Sequence, residues 1–365
     1  MSFFPDRPFN DLQYLPPRAE LETKTILRQA VRANKVLAEL KGYSQLLPNN
    51  LIITNSLLLQ EAKDSSEIEN IVTTHDELYK ALTVQSEQNN PNVKEVLNYR
   101  AALHTGFRDL KKNGYLTTNS IVEIQRILMQ NEAGIRKLPG TKLADYATGE
   151  TLYTPPDNEQ TIRNLLKNLE EYINEENSLL DPLIKLAVLH YQFESIHPFY
   201  DGNGRTGRIL NVLYLVLTGL LDEPSLYLSR YIIAHKAEYY RLLRQVTQEN
   251  IWEPWILYIL KAVEETAFFT LELSKKIRAA MDDASATIQA QLPKMYAKPL
   301  VEMLFANVYI KISHLVDNKI SSRNTAARYL KSLENIGILR SEKVWRETVY
   351  VNTALYNLLA DHHTH

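Results

Sequence analysis

No cysteine occurs in the 365 residues, which excludes disulfides, thiolate metal sites and cysteine nucleophiles. Net charge is nearly absent too, since 41 Lys and Arg against 43 Asp and Glu leave a formal −2. Such a chain has no global attraction to nucleic acid or to an anionic membrane, so a partner of that kind has to be met by a local patch. A long apolar run is also missing. The nearest candidate, ILNVLYLVLTGLL from Ile209 to Leu221, falls short of the ~20 residues a bilayer crossing needs and follows Arg205 and Arg208 directly. It reads as a buried helix, and no membrane partner is expected. The opening MSFFPDRPFNDLQYLPPRAE has acids and prolines where a secretory signal needs a basic start and an unbroken apolar core. The expectation is a mature cytoplasmic protein.

What the chain does have is helical periodicity. Its length exceeds the ~250–300 residues at which a single core stops growing, so a main body with an appendage is expected. AELETKTILRQAVRANKVLAELKG, IVTTHDELYKALTVQ, NVKEVLNYRAALHTGFRDLKKN, TTNSIVEIQRILMQ, TIRNLLKNLEEYINEEN and DPLIKLAVLHYQFESI all space apolar residues at three and four. The expected fold class is all-α over most of 19–290. Thr117 to Ser120 supplies a cap before IVEIQ, and Asp181 with Pro182 opens the segment leading to His197. Arg136 to Asn158 breaks the pattern, with Gly140, Gly149 and Pro155-Pro156 bracketing short runs around Tyr146, Leu152 and Tyr153. That reads as a β-hairpin or extended flap. Beyond Pro293 the order becomes helix (about Lys298 to Phe305), helix, turn, helix and two short strands. This is the order of a winged helix-turn-helix, with Ser321 to Ile336 in the recognition position. From Lys298 to Tyr350 nine Lys or Arg stand against five Asp or Glu, a mild local basic excess. Expected domains are a helical region over 1–110, a core over 111–270, a helical linker over 271–295 and the C-terminal module over 296–365.

The chemistry concentrates in HPFYDGNGRTGR, from His197 to Arg208, a loop and helix start between two apolar helices. Free N–H groups and the helix dipole make such a start an anion site, and Gly202 and Gly204 let a phosphate approach the backbone. Arg205 and Arg208, three apart, share one helix face and reach the same polyphosphate. Asp201 at the mouth would repel phosphate unless a cation lay between them, which points to a Mg²⁺-nucleotide. His197 has the side chain suited to take a proton from an attacking hydroxyl, and Phe199 reads as a core anchor. Separately each element is more often structural; together they are hard to explain as structure. The site is no Walker loop, because the Gly-Lys-Ser/Thr element is absent.

Position by position the stretch resembles the signature of Fic-domain proteins, His-x-Phe-x-Asp/Glu-Gly-Asn-Gly-Arg-x-x-Arg, and no required position is altered. The resemblance, over roughly residues 1–270, implies a helical protein adenylyltransferase that moves AMP from Mg-ATP to a Ser, Thr or Tyr hydroxyl of a target protein and of itself. It implies His197 as general base and Asp201 as the Mg²⁺ ligand. Gly202, Asn203 and Gly204, with Thr206 and Gly207, would lie on the nucleotide, Arg205 on the β-phosphate side and Arg208 at the γ-phosphate.

SSEIEN, Ser65 to Asn70, would pass alone as an acidic helix start. It also matches the family's inhibitory motif through Ser65, Glu69 and Asn70, in the class whose inhibitory helix is N-terminal. Glu69 pairing with Arg208 would remove the donor that orients the γ-phosphate, leaving ATP misaligned for in-line attack. Tyr240, in AEYYRLL, would by resemblance line the adenine pocket, although tyrosines at helical spacing are more often core. The flap at about 137–153 would hold a target segment by strand addition, and the proline-rich opening would pack on the body. A homodimer is plausible by resemblance. The histidines of DHHTH (361–365) receive no metal role. Two alternatives stay open: a DNA-binding regulator with a nucleotide-sensing core, for which Arg323, Arg328 and Lys331 would serve, and the same fold removing AMP or using another donor.

Overall fold

The computed structural model describes residues 3–46, 51–84, 90–144, 148–176, 178–345 and 347–360, with the backbone alone over 51–56. Tyr146 and the DHHTH histidines lie outside the described residues. Helices dominate, and two antiparallel sheets are small.

The frame is a pair of long helices. α1 (Lys24–Gln45) lies along α11 (Glu253–Gln291), whose 39 residues run unbroken because no glycine or proline interrupts them after Pro254. The expected linker over 271–295 is largely the second half of α11, and it is part of the core: Leu271, Leu273, Ile277 and Ile288 are buried. Around this frame stand α2 (Leu51–Ile68), α3 (His75–Thr83), α4 (Pro91–Asn113), α5 (Thr118–Met129), α6 (Glu159–Ile173), α9 (Leu228–Ala234) and α10 (Lys236–Glu249). The expected caps form: Thr117 and Ser120 make a reciprocal capping box, and the Asp181 carboxylate accepts from the Leu183 amide.

α7 (Pro182–Ile196) and α8 (Asn203–Leu217) form the buried centre. Both are apolar on nearly every side, so they bury all round, each large aliphatic chain contributing roughly 1.5–3 kcal/mol. Four titratable side chains interrupt α7: Lys185, His190, Tyr191 and Glu194. The flap is a hairpin of β1 (Leu143–Ala144) and β2 (Thr151–Tyr153). Its base is tied down where the Tyr153 hydroxyl donates to the Ser195 carbonyl at 2.7 Å. The opening segment packs against the same place, with the Phe9 amide donating to the Thr154 carbonyl and Phe3 stacked on Tyr153.

The C-terminal part runs α12 (Lys298–Ala306), β3 (Tyr309–Ile310), α13 (Ile312–Asp317), α14 (Arg323–Asn335), β4 (Leu339–Val344), β5 (Glu347–Asn352) and α15 (Thr353–Ala360). β3 and α15 are additional to the sequence reading. Two buried residues, Tyr309 and Ile310, suffice to add β3 to the edge of β5. This part is joined to the body through α2 and α3: Gln60 donates to the Leu359 carbonyl, Lys80 pairs with Glu342, and the Tyr309 hydroxyl donates to Asp76.

Candidate functional site

His197 ends α7 in the left-handed conformation (φ 48°), and Gly202 (φ 77°) starts α8 without a side-chain cap. The first helical bond of α8 runs from the Thr206 amide to the Gly202 carbonyl, so the amides of Asn203, Gly204 and Arg205 have no partner within the helix. The loop between is fixed from three sides. The Asn203 side chain brackets Phe199, accepting from its amide and donating to its carbonyl at 2.8 Å each. Phe199 is fully buried. From α5, Gln125 donates to the Asp201 carbonyl. The buried Arg136 donates to the carbonyls of His197 (2.7 Å) and Ile196, and its own amide bonds to Pro198.

Burial, with the Arg136 charge beside it, pulls the His197 imidazole down to about 4, so the ring is neutral at pH 7 and able to accept a proton. Asp201 is exposed, and its carboxylate accepts only from the Gly202 amide, at 2.6 Å, among the described residues. A single free carboxylate at the mouth of an anion site suits Mg²⁺, which takes one or two protein carboxylates and fills its remaining positions with phosphate oxygens and water.

The anion site holds an anion of the chain itself. α2 ends at Ile68, and Asn70, at φ 64°, closes it: the Ile71 amide bonds back to the Ser66 carbonyl and the Asn70 amide to Glu67. Lys236 caps the Ile68 carbonyl at 2.6 Å. This end delivers Ser65 and Glu69 to Arg208. The guanidinium donates to the Ser65 hydroxyl (2.7 Å), the Ser65 carbonyl (2.8 Å) and the Glu69 carboxylate (2.9 Å). Arg208 is 2% exposed and Glu69 28%. The carboxylate lies on Gly204, where any β-carbon would collide with its Oε1. Gly204 therefore leaves room for an acid at the helix start, and Glu69 fills it. The inhibitory helix expected at about 62–72 is the last part of α2, which ends at Ile68, so Glu69 lies just past the helix end and not at a helix start.

Arg205 is equally buried and pairs with Glu95 of α4 at 2.7 Å, with Met129 Sδ against its other nitrogen. The two arginines expected to reach one polyphosphate thus diverge to different acids. Two other expected nucleotide contacts face elsewhere. Gly207 is packed on Phe193 and Glu194 of α7, and the Asn203 side chain is spent on the loop, leaving only its amide at the mouth. Thr206 is fully buried behind the helix start. Tyr240 is half exposed, edge-on to Tyr239, and its hydroxyl is pushed up to about 12 by burial, within reach of the charges of Arg208, Glu69 and Glu194.

Four residues escape the sequence reading. Glu194 sits one turn before His197, and burial with the nearby Glu69 charge raises its carboxyl to about 7. Glu61 of α2 is likewise raised to about 7 by burial and accepts from Tyr99 and from the amide and hydroxyl of Ser229. Arg136 and Glu95 hold the loop and Arg205. Isolated charges inside apolar helices were the available signal for Glu194; Glu95 and Arg136 carry none, since each looks like an ordinary surface residue.

Known proteins place this geometry. The description "Fic/DOC family N-terminal" matches residues 27–108, "Fic/DOC family" matches 115–215, and "Protein adenylyltransferase SoFic-like, C-terminal domain" matches 280–355. A probable protein adenylyltransferase of Aquifex aeolicus is 31% identical over 181 residues, 49% of this chain and 54% of that protein. The protein adenylyltransferase Fic of Culex quinquefasciatus is 29% identical over 174 residues, 47% of this chain and 33% of that protein. The chain thus spans about half the length of the first and a third of the second. A Fic family protein of Desulfovibrio desulfuricans G20 superposes with a TM-score of 0.60 at 18% identity, covering 93% of this chain and 98% of that one. Fic-1 of Caenorhabditis elegans gives 0.54 at 22%, over 69% and 74%; both show likeness of fold. With these descriptions matching in chain order across α2, the start of α8 and the C-terminal part, the chain belongs to the Fic/DOC family.

Proposed function

We propose that the protein transfers AMP from Mg-ATP to a hydroxyl of a target protein, and that Glu69 holds this activity off. The observation carrying the reading is the Glu69 carboxylate seated on Gly204 and bonded to Arg208 at the uncapped start of α8. An acid of the chain occupies the place built for an acidic ligand. Its relatives named protein adenylyltransferases support the reaction class.

In the reaction the target oxygen bonds to the α-phosphorus, the bond to pyrophosphate breaks, and the hydroxyl proton passes to the neutral His197 ring. Arg136 keeps that ring in place by holding the His197 and Ile196 carbonyls. The free amides at the start of α8 bind phosphate oxygens, and Arg208, once released by Glu69, binds the terminal phosphate through its forked donors. Asp201 would hold Mg²⁺, which when bound neutralises phosphate charge. Tyr240, near the charges of Arg208 and Glu69, would line the adenine. The target segment adds to the β1 edge of the flap, a mode that reads little side-chain information and leaves the identity of the target to other surfaces.

The test is incubation of wild type, Glu69→Gly and His197→Ala with Mg²⁺ and ATP labelled at the α-phosphate. Label on protein in Glu69→Gly, faint in wild type and absent in His197→Ala, is expected. No label in any of them refutes AMP transfer, and equal label in wild type and Glu69→Gly refutes the latch. Loss of label from pre-labelled protein would favour AMP removal.

A further inference from the structure

The C-terminal part presents a surface that AMP transfer does not use. α14 buries Ala326, Leu330 and Leu333 and turns the opposite face to solvent. That face is Asn324, Arg328, Lys331 and Asn335, all exposed, at the i, i+4, i+7 and i+11 positions of one stripe. Four polar side chains in a row with no acid among them are not what solubility requires, since mixed charge serves that purpose as well. They are the side chains whose forked donors and amides match base edges in a major groove.

The distribution of acids sharpens the point. Glu334, the only acid of α14, is drawn to Lys331 and to the amide and hydroxyl of Ser341 on β4. Glu342 is held by Lys80 and Glu347 by Lys311. Lys319, Arg323, Arg328 and Lys343 are exposed and have no ion-pair partner among the described residues. Glu302, Glu334 and Glu347 are paired within this part and Glu342 with Lys80 of α3, so among the described residues Asp317 is the one exposed acid without an ion-pair partner, against four such cations. Lys319 and Arg323 flank the start of α14, and Lys343 lies beside the β4–β5 turn, where Trp345 is 74% exposed. Positive charge therefore stands at the start of α14 and on the strand packed against it, as phosphate contacts accompany base contacts. With 13 residues α14 is about 20 Å long, enough to lie in a major groove.

We propose that the outward face of α14, with the β4–β5 turn beside it, is a docking surface for duplex DNA. The cations at 319, 323 and 343 contact phosphates, and the stripe from Asn324 to Asn335 faces the bases. The near-neutral chain as a whole supplies no general attraction, so binding depends on this patch.

The experiment uses the full-length protein and fluorescence anisotropy with a pool of randomised duplex DNA, at several salt concentrations. Three proteins are compared: wild type, Arg323→Glu/Arg328→Glu, and the charge-matched control Lys24→Glu/Lys112→Glu on exposed positions of the body. Expected are binding by wild type that weakens steeply with salt, a loss of at least tenfold in the α14 double variant with a shallower salt slope, and a small change in the control. Equal melting temperatures of the three proteins exclude misfolding as the cause; if the α14 variant melts early, Arg328→Gln, which keeps the shape and removes the charge, replaces it. Absence of duplex binding at low salt overturns the proposal, as does equal weakening in both double variants. Tighter binding of an acidic polyglutamate peptide than of duplex also overturns it, in favour of a protein partner.

Discussion

Two helix starts in this molecule are built alike and used differently. α8 and α14 both begin without a side-chain cap hydrogen bond, and each carries two arginines in its first turns. In α8 both arginines are buried, Arg205 against Glu95 and Arg208 against Glu69. In α14 Arg323 and Arg328 stand in solvent without an acid. The difference follows from desolvation: a guanidinium out of water has to be paired, whereas an exposed one does not. At α8 the chain itself supplies the anion, and under the proposed function this ion pair is the latch that a ligand displaces. At α14 nothing has to be displaced, so the surface is open at all times.

Three measurements probe the closed side of this comparison, the first two with label transfer and the third with its pH dependence. The largest effect belongs to His197: in a Glu69→Gly background, His197→Ala should lower the initial rate by roughly 10²–10⁴-fold, the usual worth of a positioned proton acceptor. Next comes the latch. Glu69→Gly should raise the rate at saturating ATP by about tenfold or more, since restoring one orienting contact to a reacting phosphate is worth at least ~1.4 kcal/mol. Glu69→Gln should fall between, because it keeps the shape over Gly204 and loses the charge on Arg208. If Gln behaves as Gly, charge alone holds the latch; if it behaves as wild type, packing does.

The pH profile is third. Under the proposed function the neutral imidazole is the active form, and protonation on the acid side should abolish transfer. His197 is held at about 4 by burial and Arg136, while Glu69 acts in the opposite sense. Removing Glu69 therefore lowers the value further, and Glu69→Gly should show a flat rate from neutral pH to well below the ordinary histidine range near 6.5. An acid limb at about 6.5 would mean that opening the latch also lets water reach the ring.

The stretch from His197 to Arg208 was legible because its residues are contiguous: a loop and helix start need no tertiary information to place His197, Asp201 and Gly204 together. Ser65 and Glu69 were legible only as a pattern. No apolar periodicity marks the helix that carries them, because its inward face is polar, with Gln60, Glu61, Asp64 and Ser65 buried, and hydrophobic spacing is the signal a sequence reading uses. The divergence of Arg205 from Arg208 was not legible at all. Three residues apart, they share a helix face, yet their partners lie on α4 and at the end of α2, and long-range pairing leaves no local mark. The same holds for Asn203, where the resemblance implies a phosphate contact and packing makes the side chain a staple for Phe199.

The smallest effect tests how tightly the start of α8 is enclosed. Alanine is the better helix former by about 1 kcal/mol, so Gly207→Ala would stabilise an isolated helix. Here a β-carbon at 207 would meet Glu194 Oε1 at 2.5 Å and Phe193 Cδ1 at 2.9 Å. Both belong to α7, which is buried along nearly its whole length and has little room to yield. Overpacking of this kind costs about 1–3 kcal/mol, so after the helix gain Gly207→Ala should unfold at lower urea with a net loss of up to about 2 kcal/mol. Asn324→Ala, at the open start of α14, should stay within about 0.5 kcal/mol of wild type. Should Gly207→Ala prove the more stable of the two, α7 and α8 have slack between them, and the burial that lowers His197 and raises Glu194 is weaker than the packing implies.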